Sequence, residues 1–149
     1  MDYDNFLITK KSTGDINFIN GAPYSDKYYE NVEKWKDLPL YKNKNKLKEF
    51  LNLLETKNVI LLTSGTGSGK TVIVPKLLLK YKKLNNIKGK ILVTNPKILT
   101  TESNAVYSAE TLDVILGEEI GYNFKGKNKT TENTDLIYAT DGFTKIITI

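Results

Sequence analysis

The chain has 149 residues, enough for one domain with a real core and too few for two of ordinary size. It contains no cysteine, no histidine and no arginine, which excludes a Cys/His zinc site, a disulfide scaffold and catalytic Ser-His or Cys-His pairs within it. The net charge of +5 and pI near 9.2 come from lysine alone and suit an acidic partner such as nucleic acid, although enrichment in Lys, Asn, Ile and Tyr equally fits an AT-rich coding sequence.

Residues 1–25 alternate short apolar pieces with turn residues (Gly14, Asn20-Gly21, Pro23), which predicts a small hairpin or irregular leader. The opening MDYDNFLITKK is acidic before it is apolar, unlike a signal peptide, and no apolar run approaches the roughly 20 residues that span a bilayer. The expected location is therefore intracellular (cytoplasm, nucleus or virion), with no membrane partner. Ser25 is placed to cap a helix on which Tyr28, Tyr29, Val32 and Trp35 recur at helical spacing until Leu38-Pro39 stops it. This aromatic stripe reads as a docking face onto the core in preference to a base-stacking surface.

Lys42 to Lys57 predicts an amphipathic helix, with Leu47, Phe50, Leu51 and Leu54 inward; its basic run KNKNKLK reads as a solvated helix start more readily than as a binding patch. Asn58 to Thr63 predicts the first buried strand of a parallel sheet. It runs into SGTGSGKT, Ser64 to Thr71, at a strand-to-helix junction. Gly65, Gly67 and Gly69 allow a turn whose N–H groups wrap a phosphate, and the following helix aims its positive end at the same anion. Lys70 adds a point charge for β- and γ-phosphates and Thr71 a hydroxyl for magnesium. The general pattern G-x-x-x-x-G-K-[ST] expects glycine where this chain has Ser64. The plain alternative, a Gly/Ser turn that happens to contain a lysine, gives no reason for Gly-Lys-Thr at a helix start.

The helix from Lys70 carries Ile73, Val74, Leu77, Leu78 and Tyr81, with Pro75 in its early turns. After the lysine-rich connection 82–90, Ile91 to Thr94 predicts a second strand, so that strand, helix and strand form a right-handed parallel crossover. Asn95-Pro96-Lys97 ends it, and a helix is expected from Leu99 to Leu116, with Thr100, Thr101 and Ser103 offering N-cap oxygens. A short strand within Glu118 to Phe124, a polar and mobile connection KGKNKTTENTD, and a third parallel strand at Leu136 to Thr140 follow. Asp141-Gly142 turns the chain into a further element from Phe143.

In combination these landmarks resemble the first RecA-like domain of a DEAH-box helicase of superfamily two, closest in flavour to viral members. Leu38-Pro39 resembles the family's lead-in, TSGTGSGKTVIVPK (Thr63 to Lys76) its GETGSGKT-x-x-x-P loop, TNPK (Thr94 to Lys97) with LGEEIGY (Leu116 to Tyr122) its backbone-holding segment, and ATDGFTKII (Ala139 to Ile147) its TDG motif. The resemblance covers roughly residues 36–149, with 1–37 an N-terminal extension and 38–149 a partial RecA-like domain. It implies an α/β P-loop NTPase fold of three layers with a mostly parallel sheet, truncated before the acidic Walker B strand.

The resemblance further implies ATP and Mg²⁺ as cofactors, held by Gly65, Thr66, Gly67, Ser68, Gly69, Lys70 and Thr71, with Lys70 and Thr71 as catalytic residues and Thr71 as magnesium ligand. A single-stranded RNA or DNA backbone would lie on Thr94, Pro96, Lys97, Thr140, Asp141 and Gly142, which offer hydroxyls, N–H groups and one cation but nothing suited to reading bases. Pro96-Lys97-Ile98 stands where the family has Pro-Arg-Arg, which keeps one charge and loses the bidentate fork, and Gly65 stands in place of a glutamate. The DEAH and Ser-Ala-Thr motifs and the second RecA-like domain lie outside these residues. An N-terminal or split piece is expected, which binds nucleotide but hydrolyses it slowly or not at all and relies on the missing helicase half on another chain. Asp113, Asp135 and Asp141 are expected to be mostly structural. Competing readings are a non-hydrolysing remnant acting as a protein or nucleic-acid binding module, and a small P-loop kinase, which the lack of arginine disfavours.

Overall fold

The computed structural model describes residues 2–142. The expected element from Phe143 and the end of the ATDGFTKII segment lie outside them.

The leader places Ile16 opposite Pro23 in an isolated antiparallel bridge, and α1 (Asp26–Val32) follows with Ser25 accepting a hydrogen bond from the Tyr28 N–H, as its capping role requires. Tyr28, Val32 and Trp35 are almost wholly buried, so the aromatic stripe is a core face. A one-turn α2 (Pro39–Lys42), begun by a proline at N1, precedes α3 (Lys44–Thr56), whose Leu47, Phe50 and Leu51 face inward. The P-loop helix α4 (Lys70–Leu84) and α5 (Ile98–Leu112) are the two longest helices. Pro75 is the sixth residue of α4, beyond the first turn, and so withholds the N–H that would reach the Thr71 carbonyl.

Strands β1 (Ile91–Asn95), β2 (Ile120–Phe124), β3 (Lys127–Lys129) and β4 (Leu136–Thr140) form a mixed sheet in the order β1-β4-β2-β3, with β1, β4 and β2 parallel. Ile91, Leu136 and Ile120 lie in register, as do Val93, Tyr138 and Tyr122, and this face packs on α5 with Leu79 of α4. The polar connection expected to be mobile instead supplies β3, paired antiparallel to β2. Gly121 makes that hairpin approachable, since a Cβ there would stand 2.1 Å from the Lys129 carbonyl oxygen.

A second core joins the leader, α1, α2 and α3 to the opposite flank of α4 through Phe6, Leu7, Trp35, Leu51, Ile73 and Leu77. Asp113 ties the two halves: it ends α5 in a left-handed conformation, and its carboxylate accepts from Ser25 N at 2.7 Å and Ser25 Oγ at 2.8 Å. Helix α5 thus stops at Leu112, earlier than Leu116. Its N-cap is Lys97, and Thr101 turns back to the Lys97 carbonyl in place of capping.

The expected first strand does not form. Asn58 to Thr63 joins no ladder: Ile60 and Leu62 pack on the α3/α4 core while Val59 and Leu61 stay 87% and 88% exposed. The alternation of a strand is present, but no neighbouring strand lies beside it among the described residues, so the crossover to β1 does not form there.

Candidate functional site

The P-loop emerges from that unpaired segment and ends at Gly69, the N-cap of α4, where φ is +93°; Gly67 also has positive φ, at +75°. Leu38 from the lead-in closes one side, and the Leu40 N–H donates to the Ser68 carbonyl at 2.9 Å, so the Leu-Pro landmark is a physical brace of the loop. The result is an open cradle of about 460 Å³ lined by Leu38 and Thr66 to Val72. Thr66, Gly67 and Thr71 are exposed within it.

Lys70 folds back over the loop: its Nζ donates to Ser64 O at 2.7 Å, Ser64 Oγ at 2.9 Å and Gly65 O at 3.4 Å. Ser64 Oγ also lies 2.6 Å from Ser68 Oγ. The serine standing where the general pattern has glycine is therefore a working part of the loop, holding Lys70 over its mouth by neutral contacts. Sequence reasoning missed this role, and only the off-pattern position of Ser64 could have signalled it. Of residues 65–71, Thr66 to Thr71 line this cradle and Gly65 lies next to it in the chain. A polyphosphate fits it: donors and a helix N-terminus line a concavity, and Lys70 has only neutral acceptors to leave. No group of three or more His, Cys, Asp or Glu occurs among the described residues, so a metal would draw on Thr71 and on the ligand's own oxygens.

The other predicted residues also converge. Parallel pairing sets Thr94 beside Ala139 and Asn95 beside Thr140, which brings the carboxyl ends of β1 and β4 together. Thr94, Pro96, Lys97, Asp141 and Gly142 are exposed there and Thr140 is half-buried, beside the N-terminus of α5. Asp135 lies at the opposite end of β4, paired with Lys82 at 2.9 Å and Lys83 at 2.6 Å, which makes it structural.

A glycine-rich loop at a helix N-terminus, in a domain built on a mostly parallel sheet, defines a P-loop α/β domain of the RecA-like type. No family model matches the chain. It is 41% identical over 128 residues to the L540 protein of Acanthamoeba polyphaga mimivirus, named as an ATP-dependent RNA helicase, covering 85% of this chain and 18% of that protein. To the ATP-dependent RNA helicase HrpA of Borreliella burgdorferi it is 38% identical over 107 residues, covering 70% of this chain and 12% of that one. The crystal structure of the E. coli DExH-box NTPase HrpB superposes with a TM-score of 0.64 at 31% identity, over 74% of this chain and 13% of that one. The chain belongs to the DEAH-box helicase family and spans less than a fifth of each of these relatives. No helix among the described residues is long and apolar enough to cross a membrane.

Proposed function

We propose that the chain is the nucleotide-binding portion of an ATP-dependent RNA helicase, with residues 38–149 forming part of its first RecA-like domain. The observation that carries this reading is the cradle in which Thr66 to Val72, braced by Leu38, surround an opening under the N-terminus of α4. Backbone N–H groups of Gly67 to Lys70 bind the phosphates, and Lys70 leaves Ser64 and Gly65 to neutralise β- and γ-oxygens. Thr71 gives its hydroxyl to magnesium, which when bound draws charge from the transferring phosphoryl group. Thr94, Pro96, Lys97, Thr140, Asp141 and Gly142 hold a single-stranded RNA or DNA backbone at the strand ends. Turnover also requires a carboxylate to activate water, a role that falls to a further region of the helicase.

Binding of single-stranded RNA with and without a magnesium-ATP analogue tests the reading, with phosphate release recorded alongside. RNA affinity that changes when nucleotide is added supports one coupled unit. Nucleotide binding without RNA binding reduces the chain to the nucleotide half alone, and phosphorylation of a nucleoside monophosphate replaces the helicase reading with a kinase.

A further inference from the structure

Behind the P-loop, where α4 faces α5, lies a buried amine that none of the roles above uses. Lys76 is 0% exposed, and its Nζ donates to Thr111 Oγ1 at 2.5 Å. That hydroxyl already donates to the Tyr107 carbonyl at 2.8 Å. An ammonium has three N–H donors, and no other hydrogen bond or ion pair engages this one among the described residues. The rings of Trp35 and Tyr107, 5.8 and 5.9 Å from Nζ, offset the charge only weakly at that range.

The titratable groups that face it do not help. From α5 comes the Tyr107 phenol, held above its ordinary range by burial, and from β4 the Tyr138 phenol, pushed up to about 12 by burial. Both are neutral near pH 7, and burial alone lowers Lys76 to about 7. Beside it a cavity of about 10 Å³, enough for one water, is lined by Thr71, Asn104, Ser108 and Tyr138 among others. Ser108 is buried, its hydroxyl beside the Tyr138 phenol. Thr71 precedes Lys76 by five residues, about 7 to 8 Å along the helix. The amine therefore shares an enclosed pocket with the back of the phosphate cradle, where charges are poorly screened.

We propose that Lys76 is a second, buried cation of the phosphate site, a positioning residue that takes up a proton from solvent when a polyphosphate occupies the P-loop. The water in the adjoining cavity solvates its ammonium, and the charge holds the anion from behind Thr71 as Lys70 holds it from the front. This rests on the nucleotide reading of the loop. An added net negative charge about 10 Å away raises the lysine's proton affinity roughly tenfold at an effective dielectric near 20.

Calorimetric titration of the full chain with magnesium-ADP, in buffers of different ionisation heat at pH 7.5, reads the effect. Uptake of about half a proton per nucleotide is expected for the wild type. In Lys76→Met none is expected, nor in Lys76→Gln, which keeps a polar group should the apolar variant fold badly. Between pH 6 and 9 the wild type should lose about tenfold more affinity than either variant. Equal proton counts in wild type and variants, with binding intact, overturn this proposal alone. Absence of binding by the wild type overturns it together with the nucleotide reading.

Discussion

Leu38 occupies the space beside Gly69 that any side chain there would need, its Cδ1 standing 2.8 Å and its own Cβ 2.9 Å from a Cβ built on the glycine. The lead-in and the loop are thus fitted to each other. Gly69→Ala adds this contact to the strain of a φ of +93° and should destabilise the fold by about 1–3 kcal/mol while weakening nucleotide binding. Leu38→Gly in the same background should recover only the steric part, since it removes the Cβ as well as the Cδ1 contact. Urea denaturation of the two variants separates the terms, and full recovery would show that the backbone carries no strain.

The buried Lys76 makes stability depend on alkaline pH. Its folded value of about 7 lies below the unfolded 10.5, so the unfolded chain binds more protons between those values, and stability rises with pH across that window. Below pH 7 the full cost of the buried charge is present, on the order of 5 kcal/mol. Lys76→Met should raise stability at pH 7 by a few kcal/mol and flatten the rise toward pH 10. Thermal unfolding at several pH values checks both, and a parallel rise in the variant would assign it to other groups.

Asp135 should govern the acid limb. Burial raises its pKa, but Lys83 and Lys82 outweigh burial and hold it below the usual 3.8, so its contribution is complete above that pH and is lost as pH falls through the lower folded value. With its carboxylate about a fifth exposed, Asp135→Asn should cost about 1 kcal/mol at pH 7 and less at pH 2. Denaturant midpoints at the two pH values measure the difference.

Val59 and Leu61 leave two large apolar side chains open to solvent, a surface that favours association between chains. Leu61→Lys should shift the chain toward monomer in sedimentation velocity with a stability change within about 0.5 kcal/mol. A clearly destabilised variant would mean that the segment is packed in solution.

Lys97 is the cation placed at the joined ends of β1 and β4. Lys97→Ala should weaken binding of single-stranded RNA evenly across sequences and reduce the salt slope by about 0.7. Lys88, exposed just before the amino end of β1, should leave the slope unchanged when replaced.

The order of elements was legible because it rests on local chemistry: Ser25 as a cap, Leu47, Phe50 and Leu51 on one helix face, Gly-Lys-Thr at a helix start, and short apolar runs at Ile91 and Leu136. The loop at the start of α4 and the joined ends of β1 and β4 were legible for the same reason, since each is a short motif at a helix start or a strand end. The segment 58–63 shows the limit. Its alternation describes a strand, but whether it pairs depends on a partner that periodicity within the segment cannot reveal. Lys127, Asn128 and Lys129 lie in a polar stretch and are held in β3 by the tertiary contact with β2, not by propensity. Lys76 was visible only as a motif residue, because burial of a lysine depends on Trp35, Tyr107 and Thr111, all distant in the chain.

Equilibrium binding of a fluorescent magnesium-ATP analogue to the wild type and to Lys70→Ala tests the central claim most directly. The account predicts saturable binding at one site in the wild type and a loss of at least roughly tenfold in the variant, with the fold unchanged by circular dichroism. Equal binding by both, or none by the wild type, would contradict it and leave the loop Ser64 to Thr71 as scaffold.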